Sequence, residues 1–177
     1  MNKKVKQKLD EILDREVIID NQKLSKEDIT NFEDVHNIKL SKEYKDFLMN
    51  YKEAYINDYY KFPMIEKSDL TPENGFENID FLYVGNFIAN AEKFIKNYGK
   101  KILPIGETAG DTICIGVQGN MEGKIYYIYH EDENEDKDEY LVANSFNEFI
   151  LSFEKQEGNS IDLDEIEIEL DDDLWDS

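Results

Sequence analysis

The run from Lys101 to Ser152 constrains the fold more than any other part of the chain. It reads Lys-Ile-Leu-Pro-Ile-Gly-Glu-Thr-Ala-Gly-Asp-Thr-Ile-Cys-Ile-Gly-Val, and from Gly123 Gly-Lys-Ile-Tyr-Tyr-Ile-Tyr-His-Glu. An acidic stretch follows, then Tyr140-Leu-Val-Ala-Asn-Ser-Phe-Asn-Glu-Phe-Ile. Short runs of Ile, Val and Tyr bounded by glycines predict three or four strands, because β-branched and aromatic side chains suit a pleated surface. Gly106 to Gly110 predicts a tight hairpin turn. Ser145-Phe-Asn-Glu predicts a capping box that opens a helix running to about Glu154.

Upstream, Val5, Leu9, Ile12 and Leu13 recur at helical spacing and predict an amphipathic helix over 3–15, with a short extended piece at Val17 to Ile19. Ser25-Lys-Glu-Asp is a capping box for a second helix, with Ile29, Phe32 and Val35 expected on one face. Ser41-Lys-Glu-Tyr opens a third, carrying Tyr44, Phe47, Leu48 and Tyr51. Tyr59 to Ile65 and Phe81 to Val84 read as strands, with Thr71-Pro-Glu-Asn-Gly as the loop between them. Phe87, Ile88, Ala91, Phe94 and Ile95 predict a helix over 86–98, ended by Gly99 at its C-cap.

Two of these regions, taken in order, resemble the SUKH superfamily (the Smi/Knr-type domain). In that family a Pro-Ile/Leu-Gly strand, a Gly-Asp-x-Ile-Cys-Ile strand, a Gly-x-Val/Ile-Tyr-Tyr-x-x-His-Glu strand and a Ser-Phe-x-Glu-Phe helix follow one another. The second region is Ile38-x-Leu-Ser-x-x-Tyr-Lys-x-Phe-Leu, where Ser41 replaces the usual proline and is the better N-cap. The Asn-Gly-Gly turn usual after that helix is replaced by Lys52-Glu-Ala-Tyr. The resemblance spans about residues 25 to 155. It implies a single α+β domain over residues 1–157, with a mostly antiparallel sheet and helices on one side and at the edges, followed by an acidic tail over 158–177.

Charge sets the second constraint. The chain of 177 residues carries a net −21 from 41 acidic and 20 basic side chains. Glu131 to Glu139 holds seven acids and one lysine, and Glu157 to Ser177 holds ten acids and no base, so these two segments account for −16 and leave −5 elsewhere. A surface this acidic opposes binding to nucleic acid or to an anionic membrane, both of which need Lys and Arg. The single cysteine, Cys114, sits in an apolar pattern and suits a reducing compartment. No run of about 18 apolar residues occurs and no apolar segment follows the basic N-terminus, so a cytoplasmic protein is expected. The tail fits a bulged strand through Ile161-Asp-Leu and Ile166-Glu-Ile-Glu-Leu. It fits equally a helix face of Leu163, Ile166, Leu170 and Leu174, or a segment that orders on binding.

No residue set reads as a catalytic centre. Gly106 to Gly110 lacks the Lys-Ser/Thr pair of a phosphate loop, and Asp111 would repel phosphate. Asp132 to Asp138 echoes a calcium loop, but Lys137 stands where glycine is needed and Ala143 where the bidentate glutamate is needed. His130 would need a second His or Cys beside it, and His36 lies on another element. Cys114 between two isoleucines predicts an inert thiol. No metal and no cofactor is expected. Tyr126, Tyr127, Tyr129 and Tyr140 are expected in the core, with at least one on an open sheet face as an interface residue.

The resemblance implies a protein that is not an enzyme: a bacterial immunity protein that binds and occludes a cognate polymorphic toxin, often a nuclease. A regulatory scaffold of the Smi/Knr type, binding signalling or cell-wall-assembly partners, is the alternative. A basic toxin cleft would complement the acidic loop and tail. The candidate partner-binding residues are Glu131, Asp132, Glu133, Glu135, Asp136, Asp138 and Glu139 in the loop, with Asp171, Asp172, Asp173, Leu174 and Trp175 in the tail. The expected state is a monomer or weak dimer, since net charge opposes self-association.

Overall fold

The computed structural model describes residues 1–14, 23–51, 54–99, 101–108, 110–132, 137 and 139–156. The expected extended piece at Val17 to Ile19 and the whole tail from 157 lie outside the described residues. Among the described residues there are five helices: α1 (Lys3–Ile12), α2 (Lys26–His36), α3 (Lys42–Asn50), α4 (Phe87–Tyr98) and α5 (Phe146–Ser152). The described residues also form nine strands, four before α4, four between α4 and α5, and one after α5. They are β1 (Ala54–Tyr55), β2 (Tyr60–Pro63), β3 (Phe76–Glu77), β4 (Phe81–Leu82), β5 (Ile102–Thr108), β6 (Asp111–Gly116), β7 (Ile125–Ile128), β8 (Tyr140–Ala143) and β9 (Glu154–Lys155).

The helices start where local cap chemistry allows. Ser25 accepts from the Asp28 N–H at 3.1 Å while Asp28 accepts from the Ser25 N–H at 2.9 Å, a closed capping box. Ser41 caps α3 alone. At α5 the Ser145 hydroxyl accepts from the Glu148 N–H, but Glu148 reaches back to the Asn144 N–H, one residue earlier than a strict box. On α2 the buried face is Ile29 and Phe32, continued by His36, whose ring lies 4.8 Å from Phe32. Val35, expected on that face, is 76% exposed: the i, i+3, i+7 spacing continues to position 36, not 35.

The main sheet runs β1-β4-β5-β6-β7-β8, with every neighbouring pair antiparallel. A smaller sheet, β3-β2-β9, packs beside it. β2 and β4 are shorter than the predicted strands, and Tyr59 and Ile65 are exposed. The expected hairpin turn is tighter than Gly106 to Gly110: β5 continues through Gly106 to Thr108, which pairs with Asp111. Gly106 serves close approach instead, since a Cβ there would lie 2.5 Å from the Phe81 carbonyl oxygen. Likewise α5 stops at Ser152, and Glu154–Lys155 becomes an edge strand on β2.

The core lies on one face of the main sheet. Leu103, Ile113, Ile115, Ile125 and Tyr127 meet buried residues of all five helices there. Aromatic rings knit the layer together: Tyr44 packs edge-on to Phe87 at 5.3 Å, and Phe62 edge-on to Phe149 at 5.2 Å. Such pairs contribute roughly 0.5–1.5 kcal/mol beyond the area they bury. Cys114 and Tyr126 point to the other face and are buried outside this cluster. Among the described residues no helix is long and apolar enough to cross a membrane.

Candidate functional site

Gly110, Asp111 and His130, with the hydroxyls of Tyr127 and Tyr129, come together at one end of the main sheet. The turn after β5 holds Gly110 at φ 107°, a conformation that favours glycine, and the His130 ring lies 3.0 Å from where a Cβ would sit. Asp111 is then the hub. Its Oδ1 accepts from the His130 backbone N–H at 2.9 Å and from His130 Nδ1 at 2.7 Å, and its Oδ2 accepts from the Tyr127 hydroxyl at 2.9 Å. That hydrogen bond, with the neighbouring carboxylates, raises the His130 pKa above its ordinary value.

Beside this hub lies a second latch. Glu77 on β3 is buried and accepts from the Tyr129 hydroxyl at 2.8 Å, and Thr71 lies 2.8 Å from the same hydroxyl. Burial pushes the Glu77 carboxyl up. The latch ties the loop before β3 to the end of β7. Tyr126, Tyr127, Tyr129 and Tyr140 are all buried, so none of them stands on an open sheet face.

In front of the latch is an open groove of about 600 Å³ between residues 67–70 and the start of the acidic loop. Asp69 and Leu70 form one wall, Glu131 and Asp132 the other, and Tyr140 and Lys137 also line it. Lys67 lines the groove too, with its ammonium turned against Gly75. Glu131 is exposed, and its carboxylate lies 3.6 Å from His130 Nε2. Asp132 accepts from the Tyr140 hydroxyl at 2.7 Å. Lys137 reaches Glu66 at 3.0 Å and sits 5.0 Å from the centroid of the Tyr140 ring.

Glu66 also closes the free edge of β8. Its backbone N–H donates to the Leu141 carbonyl at 2.9 Å, and its side chain accepts from the Leu141 N–H at 2.8 Å. That amide bond, with Lys137 adding to it, holds the Glu66 carboxyl below its ordinary range. An edge blocked in this way is a poor template for strand addition.

Of the predicted site residues, Glu131, Asp132 and Glu139 are described. The first two share the groove, whereas Glu139 is half-buried and acts electrostatically on Cys114 and Tyr126. Glu133, Glu135, Asp136 and Asp138, with Asp171, Asp172, Asp173, Leu174 and Trp175, lie outside the described residues. Glu66, Asp69 and Leu70 were not legible as site residues. The one available hint was Lys137, a lone base in an acidic run whose charge calls for a partner.

Cys114 is fully buried, and burial pushes its thiol well up, so little thiolate forms at neutral pH. His36 lies on α2 beside Glu92 at 3.6 Å, on another element from His130. Among the described residues no three His, Cys, Asp or Glu side chains converge as a metal site.

Comparison with known proteins sets this geometry in a family. A family model described as "SMI1 / KNR4 family (SUKH-1)" matches residues 23–152. The chain is also 33% identical over 162 residues to the SPbeta prophage-derived uncharacterized protein YokK of Bacillus subtilis (strain 168). That alignment covers 78% of this chain and 80% of the relative.

Proposed function

The chain belongs to the SMI1/KNR4 (SUKH-1) family, and from that premise we propose that it is an immunity protein for a cognate polymorphic toxin, plausibly a nuclease. It acts by stoichiometric occlusion and performs no chemistry. One observation carries the reading: the chain leaving β7 passes through His130 straight into the acidic loop, and Glu131 and Asp132 at that end line a groove. Glu131 is 77% exposed, with its carboxylate 3.6 Å from His130 Nε2, and the sequence that follows it is rich in further acids. Concentrating like charge on one surface costs stability through self-repulsion, and a basic partner would offset that cost on binding.

A nuclease cleft is such a partner, because it must be cationic to hold phosphates. Carboxylates of the loop, and of the tail at Asp171 to Asp173, would meet that cleft, with Leu174 and Trp175 as apolar anchors. Complementary charge would chiefly speed association and reject wrong partners. The prophage setting in the relative's name supports the reading, since a mobile element suits a gene that protects its host from a linked toxin.

The test is co-expression with the toxin-like C-terminal domain encoded by a neighbouring reading frame. Rescue of growth and a one-to-one complex on gel filtration are expected. No rescue and no complex would overturn the immunity reading and favour a regulatory scaffold of the Smi/Knr type, the other role the family match supports.

A further inference from the structure

The groove already holds a cation of the protein's own. Lys137 is the single base between Glu131 and Glu139. Its ammonium lies 3.0 Å from Glu66 Oε2 and 5.0 Å from the centroid of the Tyr140 ring. The Lys137 and Glu66 side chains are 40% and 43% exposed, and ion pairs so open to solvent are weak. Little therefore holds the lysine in place.

The groups around it are held independently. Glu66 keeps two bonds to Leu141, one from its main chain and one through its carboxylate, whether or not Lys137 is present. Tyr140 is anchored through its hydroxyl by Asp132, and its ring packs edge-on to Tyr129 at 5.8 Å. The result is a fixed carboxylate beside a fixed aromatic face, occupied by a weakly held side chain on an acidic loop. Asp69 and Glu131 stand around the same groove and add negative potential.

We propose that this groove is the docking subsite for an arginine side chain of the partner, with Lys137 as an internal placeholder that the incoming arginine displaces. The inference rests on the immunity reading for the partner's identity, and on the groove alone for its chemistry. Arginine fits better than lysine: a planar guanidinium can stack on the Tyr140 ring and pair with the Glu66 carboxylate, while remaining weakly hydrated. Tyr140 is 3% exposed as a residue, so the guanidinium would take the position of the Lys137 ammonium against its ring.

A tetra-arginine peptide titrated into the full chain, followed by amide NMR shifts, tests this. Shifts should centre on Glu66, Tyr140 and Leu141. Lys137→Met, which keeps the apolar stem and removes the competing charge, should tighten peptide binding by about threefold to tenfold. Glu66→Gln should weaken it by a similar factor. Lys67→Met removes one equal charge from the same groove without touching the ring, and should change affinity less than about twofold. Equal effects of Lys137→Met and Lys67→Met would mean that net charge alone is read and would overturn the subsite. So would shifts centred elsewhere, or weaker binding by Lys137→Met. Growth rescue without a specific Lys137 effect overturns the groove alone. A specific Lys137 effect without rescue keeps the arginine subsite and overturns the toxin as its partner.

Discussion

Asp111 and Glu131 stand on either side of His130, and they do opposite work. The inner carboxylate accepts three hydrogen bonds from His130 and Tyr127, and Glu77 behind it is buried against Tyr129. The outer one is exposed, with the His130 ring at 3.6 Å. The contrast separates residues spent on folding from residues left for binding. It places the recognisable Gly-Asp and His-Glu motifs almost wholly in the first group. The second group begins where the pattern stops.

That separation can be broken from the inside first. Phe149→Ala removes a fully buried ring that packs against Phe62, Phe146 and Phe153, and should cost about 3–5 kcal/mol in urea unfolding. The fraction still folded should bind its partner at the ordinary rate. Gly110→Ala comes next. A side chain at φ 107° and 3.0 Å from the His130 ring should cost about 1–3 kcal/mol in the same measurement. A loss below about 0.5 kcal/mol would mean that the turn relaxes freely.

Asp111→Asn is smaller and depends on pH. Folded His130 has a raised pKa, chiefly through its bond to Asp111, so the folded state holds that proton more tightly than the unfolded chain does. The stabilisation is complete below the unfolded value of about 6.5 and is lost as pH rises through the folded value. The stability gap between wild type and Asp111→Asn should therefore be wider at about pH 6 than at about pH 9. An NMR titration should show the His130 midpoint falling in the variant. A gap of equal size at both pH values would contradict the assignment.

Much of the inner region was legible because its causes are local. Ser25, Ser41, Ser145 and Gly99 mark helix ends through bonds to residues three or four positions away. Strands β5 to β8 carry apolar runs long enough to show. β1, β3 and β9 do not, since two residues display no period. Gly106 looked like a turn because its actual reason, the Phe81 carbonyl, comes from another strand. The Asp111 hub needed the β6–β7 register that sets Thr112 opposite Ile128 and so brings His130 to Asp111. The groove was the least legible feature. Glu66 meets Lys137 and Leu141 across 71 and 75 positions of sequence, and no spacing rule connects them.

The smallest effect on folding should come from the outer region: Glu131→Gln should change stability by less than about 0.5 kcal/mol. Its effect belongs to association, and there the central claim is most exposed. The decisive measurement is the association rate of the toxin domain against ionic strength, for wild type, Glu131→Gln and a chain lacking residues 158–177. The account predicts a wild-type rate that falls steeply with salt, slower association at low salt in both variants, and a flatter salt dependence for the deletion. Identical rates and slopes in all three would contradict it, because the acidic surface would then have no part in finding the partner.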